Sequence, residues 1–378
     1  MKPPTTNKAL TDFICKEIAA SGGTLSFASF MELALYTPKL GYYASTLPFG
    51  KDGDFVTSPE ISPLFAKCIA EQCQAILTEC CDGDIVEIGG GSGIFAKDIL
   101  LALQKLKSLP ARYFILEISA TLRERQQELL QLACPDLYSR VIWIDTLPAA
   151  FNGIIFANEV LDALPTHCFR IEENGIKERC VSWNKDHFEW QLTQPKTLEL
   201  TKQVEAILKN NLLPVGYESE INLMLPTWIR SLADALKKGV ILLFDYGYGR
   251  AEYYHPDRKQ GTLRCYSRHH AHDDPLIFVG LQDITAHVDF TTVIESAAAA
   301  GLELAGFTTQ TSFLLATGLL DLAQKEKRTE LEKFQQSQAI KKLTLPTQLG
   351  EAVKVMGLSR NISSLLTGFS LYDRRRTL

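Results

Sequence analysis

The sequence predicts a doubly wound, mostly parallel α/β sheet of Rossmann-like type, with an N-terminal helical region and an antiparallel β insertion. Three observations carry this. From Asp84 onward, short apolar strands alternate with helical patterns of about 10 to 15 residues, the rhythm of parallel βαβ units. A glycine run, Gly89-Gly90-Gly91-Ser92-Gly93, sits between the first of these strands and its helix. Between Cys168 and Gln194 the pattern becomes three short runs rich in β-branched and aromatic residues, with turns at Glu173-Asn174-Gly175 and Asn184-Lys185-Asp186.

In chain order, apolar spacing predicts helices over Leu10 to Ala20 and Phe27 to Leu35, then a Gly/Pro/Ser-rich stretch from Thr37 to Pro63. A helix follows in which Cys73 and Cys80 share a stripe with Phe65, Ile69 and Ile76. Next come the strand Ile85 to Ile88, the helix Ile94 to Leu106, the strand Tyr113 to Ile118, a helix opened by Thr121 with Glu124 three residues on, and the strands Val141 to Ile144 and Gly153 to Ala157. The insertion spans about residues 166–225 and ends in a helix over Leu198 to Leu208. The sheet resumes with Val240 to Asp245. A Gly/His/Arg/Tyr-rich stretch, Tyr246 to Asp289, shows little periodicity and reads as a functional loop. The tail holds a helix through Ala300, a strand near Leu304, a charged helix from Leu319 to Lys342 and an apolar run from Leu365 to Leu371.

A chain of 378 residues exceeds one typical domain of about 150 and can bury a large core. With 39 Lys+Arg against 44 Asp+Glu, the net charge of -5 supplies no field to draw the chain onto nucleic acid or an anionic membrane. Met1 to Asn7 lacks an apolar signal region, and apolar stretches such as Val240 to Phe244 fall far short of a membrane span of about 20 residues. The nine cysteines show no metal-ligand spacing and read as reduced, mostly buried thiols, so a cytoplasmic protein is expected.

Three acidic residues narrow the ligand of the glycine run. Glu117 ends the second strand and can accept both hydrogen bonds of a ribose diol, a group that NAD and S-adenosylmethionine share. Gly91-Ser92-Gly93-Ile94-Phe95-Ala96 also satisfies the dinucleotide-binding pattern. Glu87, two residues before Gly89, opposes a pyrophosphate but suits a ligand bearing an ammonium and a sulfonium; Asp145, ending the third strand, suits an adenine amino group. S-adenosylmethionine is therefore favoured, with a NAD-linked oxidoreductase as the alternative.

The set resembles the class I S-adenosylmethionine-dependent methyltransferases, whose first motif is E/D-x-G-x-G-x-G. The wider chain resembles the MidA-like proteins within that class, relatives of the mitochondrial complex I assembly methyltransferase. The residues that carry this are Gly53 to Ser62, the glycine run, Asn158-Glu159-Val160-Leu161-Asp162-Ala163-Leu164-Pro165, and Asp283-Ile284-Thr285-Ala286-His287-Val288-Asp289-Phe290. The resemblance implies residues 1–80 as a helical region with a cofactor-covering loop, and residues 81–378 as the methyltransferase domain with a substrate loop region at about 246–290. It implies that Thr57, Ser58, Pro59 and Glu60 fold over the cofactor, and that Asn158 joins Glu87, Gly89, Gly91, Gly93, Glu117 and Asp145 in holding it. It further implies a protein substrate, with arginine favoured, and leaves an oligomer open. A non-catalytic assembly protein retaining the cofactor fold is the third reading.

Methyl transfer needs an aligned lone pair, exclusion of water and a proton acceptor. Glu159 and Asp162, just after the fourth strand, are expected one helical turn apart and able to grip a guanidinium. Base methylation is disfavoured, because Asn158-Glu159-Val160-Leu161 stands where nucleobase-amine methyltransferases carry Asn/Asp-Pro-Pro-aromatic. His269, His270 or His287 could take the proton, since histidine is the usual side chain for that role, with Asp283 and Asp289 orienting it. The His269-His270-Ala271-His272 run lacks a familiar zinc spacing, so no metal is expected. Arg374 to Arg376 reads as a solvated basic tail.

Overall fold

The computed structural model describes residues 7–45, 56–81, 83–268, 270–325 and 329–378, and gathers the chain into two compact units. The first comprises Val56–Val160, Pro226–Gly247 and Phe290–Leu378; the second comprises the described parts of Met1–Phe55, Leu161–Leu225 and Tyr248–Asp289.

The first unit is built on β1 (Asp84–Ile88), β2 (Tyr113–Leu116), β3 (Val141–Ile144), β4 (Phe151–Asn158), β5 (Leu236–Tyr248), β6 (Glu303–Thr309) and β7 (Val353–Arg360). They lie in the order β6-β7-β5-β4-β1-β2-β3. The pairs from β5 through β3 are parallel, whereas β7 runs antiparallel to both β5 and β6. All five residues of β1 are buried, the apolar Ile85, Val86 and Ile88 together with the carboxylates Asp84 and Glu87, as in a strand covered on both faces. Helices Pro63–Glu79 and Ile94–Lys105 cover one face, burying Phe65, Ile69, Cys73, Phe95 and Ile99 with Ile85, Ile154 and Phe156. The Phe95 ring stacks on Phe156 at 4.2 Å, and Phe65 meets Phe244 edge-on at 5.3 Å. Ser62 caps the first of these helices, accepting from the Leu64 amide at 3.2 Å with Pro63 at the first helical position. Strand order reverses between β1 and β4, the switch point at whose carboxyl edge open α/β sheets bind ligands.

The second unit holds an antiparallel sheet in which Gly175–Asn184 pairs with Leu25–Ser26, His167–Glu172 and His187–Thr193, and His167–Glu172 also pairs with Glu218–Ile221. Helices Lys8–Ala20 and Phe27–Tyr36 bring Leu10, Ile14, Phe27 and Phe30 into one core with Val181 and Phe188. Helix Leu198–Asn210 brings Leu200 and Val204 into another with Phe169 and Tyr217.

Four expectations are corrected, and one strand without a forecast, β7, is added. The helix after β2 is capped by Ser119, not Thr121, because the Ser119 hydroxyl accepts from the Leu122 amide. No helix follows β4: residues 159–164 form bends and turns leading directly into His167–Glu172, so Glu159 and Asp162 are not a helical turn apart. The stretch 246–289 is not one loop; it carries helix Arg250–Tyr253 and a small sheet of His270–His272, Arg264–Ser267 and Asp283–Thr285. Strands of 3 or 4 residues are too short to show a period. The charged tail helix is two helices, Leu319–Gln324 and Glu330–Thr344, the second opened by a Thr329–Glu332 capping box. Finally, β7 carries no clear sequence signal, since Gly357 interrupts it where a side-chain carbon would lie 2.8 Å from the Phe369 ring.

The cysteines are free thiols, all buried except half-buried Cys15 and exposed Cys81. Among the described residues no helix is long and apolar enough to cross a membrane.

Candidate functional site

The site in the first unit starts at the end of β1. Gly89, Gly91 and Gly93 adopt φ of 69°, 53° and 83°, a region costly for residues with a side chain. Gly90 is constrained by space instead: a β-carbon there would lie 2.8 Å from Ile115 Cγ2 and 3.0 Å from Gln126 Nε2. Beneath this loop, Glu87 is buried and accepts a 2.8 Å hydrogen bond from the Tyr113 hydroxyl. Burial pushes its carboxyl up to about 8; the Tyr113 bond pulls the other way, and the Glu117 charge adds to the rise.

At the end of β2, Glu117 is 5% exposed and fully engaged. One oxygen accepts from the Ser119 amide at 2.9 Å, the other from Gln126 Nε2 at 3.2 Å. Burial raises its pKa against these bonds. Asp145, at the end of β3, is exposed and paired with Arg123 at 2.6 Å. Arg123 also donates to the backbone oxygens of Glu117 and Ile144, tying the two acidic strand ends together. Next in sequence to Asp145, Thr146 to Ala149 line a cavity of about 500 Å³ with Ile88, Leu116 and Trp228.

The polar segment before the sheet divides its work. Glu60 accepts a hydrogen bond from the Ser92 hydroxyl and so reaches the glycine loop. Ser58 is fully buried and donates instead to Gln310 at 2.7 Å; it opens the short helix Ser58–Ile61, with Thr57 at the N-cap position and Pro59 second in the helix. Gly53, Asp54 and Phe55 lie outside the described residues.

At the end of β4, Asn158 Nδ2 donates to Glu159 Oε1 at 3.0 Å. Asn158 Oδ1 is buried with no hydrogen-bond partner among the described residues. Glu159 has a φ of 53°, left-handed for a residue with a side chain, which costs on the order of 1 to 3 kcal/mol. Its amide donates to Phe244 O at 2.8 Å, and the next amide, of Val160, donates to buried Asp245 at 3.1 Å. These bonds hold the strained turn in place.

In the second unit, two motif segments are joined, since the Ala286 amide donates to Asp162 O at 2.9 Å. Asp162 and Asp283 are both buried. Asp283 accepts from the Tyr43 hydroxyl at 2.8 Å, and Tyr43 stacks on Tyr36 at 5.6 Å. Asp289 pairs with Arg250 at 3.2 Å. His287 is half-buried, its amide donating to Thr262 Oγ1 at 3.0 Å and its ring 5.2 Å from Tyr248. His270 is exposed and pairs across Ser267, on the opposite side of Arg264–Ser267 from Asp283–Thr285. Two strand spacings, about 10 Å, thus separate its strand from that of Asp283. His269 lies outside the described residues. Among the described residues no group of three or more His, Cys, Asp or Glu could hold a metal.

Tyr113, Arg123, Gln126, Trp143 and Asp245 are not marked by sequence. Each acts by reaching another element, which periodicity does not report. Ile118 could have been found: an apolar residue directly after a strand-end carboxylate, 69% exposed.

A carboxylate at the second strand end, a glycine loop at the switch point, and an unpartnered Asn158 oxygen fit an adenosyl amino acid, and together with the sheet order they define a class I S-adenosylmethionine-dependent methyltransferase. Residues 65–308 match the S-adenosyl-L-methionine-dependent methyltransferase family. A crystal structure from Burkholderia thailandensis bound to S-adenosyl-homocysteine is 36% identical, with a TM-score of 0.94, covering 98% of this chain and 97% of that one. The mitochondrial protein arginine methyltransferase NDUFAF7 of Danio rerio is 30% identical over 83% of this chain and 77% of its own length. The Caenorhabditis elegans NDUFAF7 homologue is 27% identical over 76% and 71%. The chain belongs to the MidA-like family of S-adenosylmethionine-dependent methyltransferases, and S-adenosylmethionine is its cofactor.

Glu87 has a pH consequence. Its folded pKa of about 8 lies above the ordinary 4.5, so between these values the folded chain keeps a proton that the unfolded chain has lost. Its contribution to stability is present below pH 4.5 and falls as pH rises toward 8. Glu87→Gln stays neutral throughout. The stability of the parent relative to this variant should therefore fall by up to about 1.4 kcal/mol per pH unit across that window. Urea denaturation of ligand-free protein at a series of pH values checks this; parallel pH curves would refute it.

Proposed function

We propose that this methyltransferase acts on an arginine side chain of a protein. The observation that carries the reading is Glu159, held in a strained left-handed turn at the carboxyl edge of the switch-point strand. Strain of this kind persists where the surroundings over-determine it, and it presents a carboxylate at the ligand-binding edge. The relatives named protein arginine methyltransferase support the substrate class.

When bound, S-adenosylmethionine supplies an electrophilic methyl on a sulfonium. We assign Glu117 to the ribose diol, Asp145 and exposed Ile118 to the adenine, and Gly89, Gly91, Gly93, Glu87 and Asn158 to the amino acid end. Thr57 to Glu60 brace the loop from outside, with Glu60 touching it through Ser92. Glu159 accepts N–H bonds from the guanidinium and concentrates its electron density on the attacking nitrogen. Asp162 keeps its assignment to the acceptor guanidinium from its place in the motif Asn158 to Pro165. His287 is assigned as proton acceptor in preference to exposed His270.

Incubating the purified protein with methyl-labelled S-adenosylmethionine and cell extract, then mapping label by mass spectrometry, tests the assignment. Methylated arginine is expected on a small number of proteins. Label on another residue type, or on no protein, overturns it.

A further inference from the structure

Gln126 is 0% exposed, and its amide is saturated by three groups of the cofactor half of the molecule. Nε2 donates to Gly91 O in the glycine loop at 2.9 Å and to Glu117 Oε2 at 3.2 Å, while Oε1 accepts from Trp143 Nε1 at 2.9 Å. The chemistry permits one orientation. An indole nitrogen can only donate, and a backbone oxygen and an ionised carboxylate can only accept. Trp143 therefore holds the amide oxygen, which turns both amide hydrogens toward Gly91 and Glu117. The glycines make room for this: a β-carbon at Gly90 would lie 3.0 Å from Gln126 Nε2, and one at Gly93 would lie 3.2 Å from Gln126 Cα. Part of the glycine run thus serves the close approach of a side chain rather than of a ligand.

We propose that Gln126 is a positioning residue, which sets the glycine loop and the Glu117 carboxylate in one geometry for the cofactor, with Trp143 as the group that fixes its amide. The proposal rests on the assignment of Glu117 to the cofactor. It also makes Trp143 a reporter, because its indole bonds to a residue that touches both cofactor-binding elements.

The test measures S-adenosylhomocysteine affinity by calorimetry in four variants. Gln126→Glu keeps an acceptor for Trp143 but loses both donors; Gln126→Met keeps the length and loses all three bonds. Hydrogen bonds to a charged group justify an expected loss of roughly 10- to 100-fold in affinity for each. Trp143→Phe should lose roughly threefold, and Glu117→Gln should lose binding as strongly as the Gln126 variants. In protein labelled with 5-fluorotryptophan, the ¹⁹F resonance missing from Trp143→Phe should shift on adding S-adenosylhomocysteine in the parent but not in Gln126→Met. Affinity within twofold of the parent in both Gln126 variants, with binding lost in Glu117→Gln, overturns the role of Gln126 alone. Unchanged affinity in Glu117→Gln overturns the cofactor assignment as well. Should both Gln126 variants fail to fold, Trp143→Phe decides: parent affinity in that variant refutes the proposal.

Discussion

Glu159→Gln and Asp162→Asn are each expected to lower methyl transfer by roughly ten- to a hundredfold while leaving fold and cofactor affinity in place. The reasoning starts from shape. A glutamine at 159 keeps an Oε1 for the Asn158 amide and the same backbone bonds to Phe244, so the strained turn has no reason to relax. At 162, the backbone oxygen that receives the Ala286 amide is untouched by the change. What is lost is negative charge facing a guanidinium, worth on the order of 1.5 to 3 kcal/mol for a charge-assisted bond, or about one to two powers of ten in rate. Transfer rates with an acceptor protein identified by mass spectrometry, beside S-adenosylhomocysteine affinities of the same variants, check the result. Full activity in both variants would remove them from the chemistry and direct attention to His287.

The second large effect is stabilisation by the cofactor. At about 100 times its dissociation constant, S-adenosylmethionine or S-adenosylhomocysteine should add about 2.7 kcal/mol to the native state and raise the melting temperature visibly. Glu117→Gln should abolish most of that gain, since a buried carboxylate able to accept two hydroxyl hydrogens is replaced by a group with one acceptor atom. Glutamine is preferred to alanine here, because alanine would leave both the Ser119 amide and the Gln126 amide without their acceptor, whereas glutamine keeps an oxygen for one of them. Melting curves with each ligand, and with NAD, provide the measurement. A Glu117→Gln protein stabilised as fully as the parent, or a parent protected by NAD alone, would contradict the site.

Much of the sheet was readable because its strands are short buried runs and its helices bury one stripe, and both leave a period in the chain. The strand ends Glu87, Glu117, Asp145 and Asn158 follow from those boundaries with no further information. By contrast, β7 pairs between β5 and β6 although it comes last in the chain, and Gly357 masks it. The segment 246–289 read as loop because three strands of 3 or 4 residues cannot display alternation. The histidines show the limit for the site: His270 and His287 look equivalent in sequence, yet His270 is exposed on the strand opposite Ser267 while His287 is half-buried and follows the strand Asp283–Thr285.

By itself, the sequence determined the class of fold, the cofactor and the polar strand ends, because patterning, glycine placement and acidic residues at strand termini are local properties. Tertiary structure alone decided which side chains hold those termini in place: Tyr113 under Glu87, Gln126 between Gly91 and Glu117, Arg123 across Glu117 and Asp145, and Asp245 behind Glu159. It also placed Glu159 in a left-handed turn rather than at a helix start. The reason is physical. A buried hydrogen bond is worth making only where its partner arrives, and partners 6 to 85 residues apart in the chain meet through packing that no local spacing encodes.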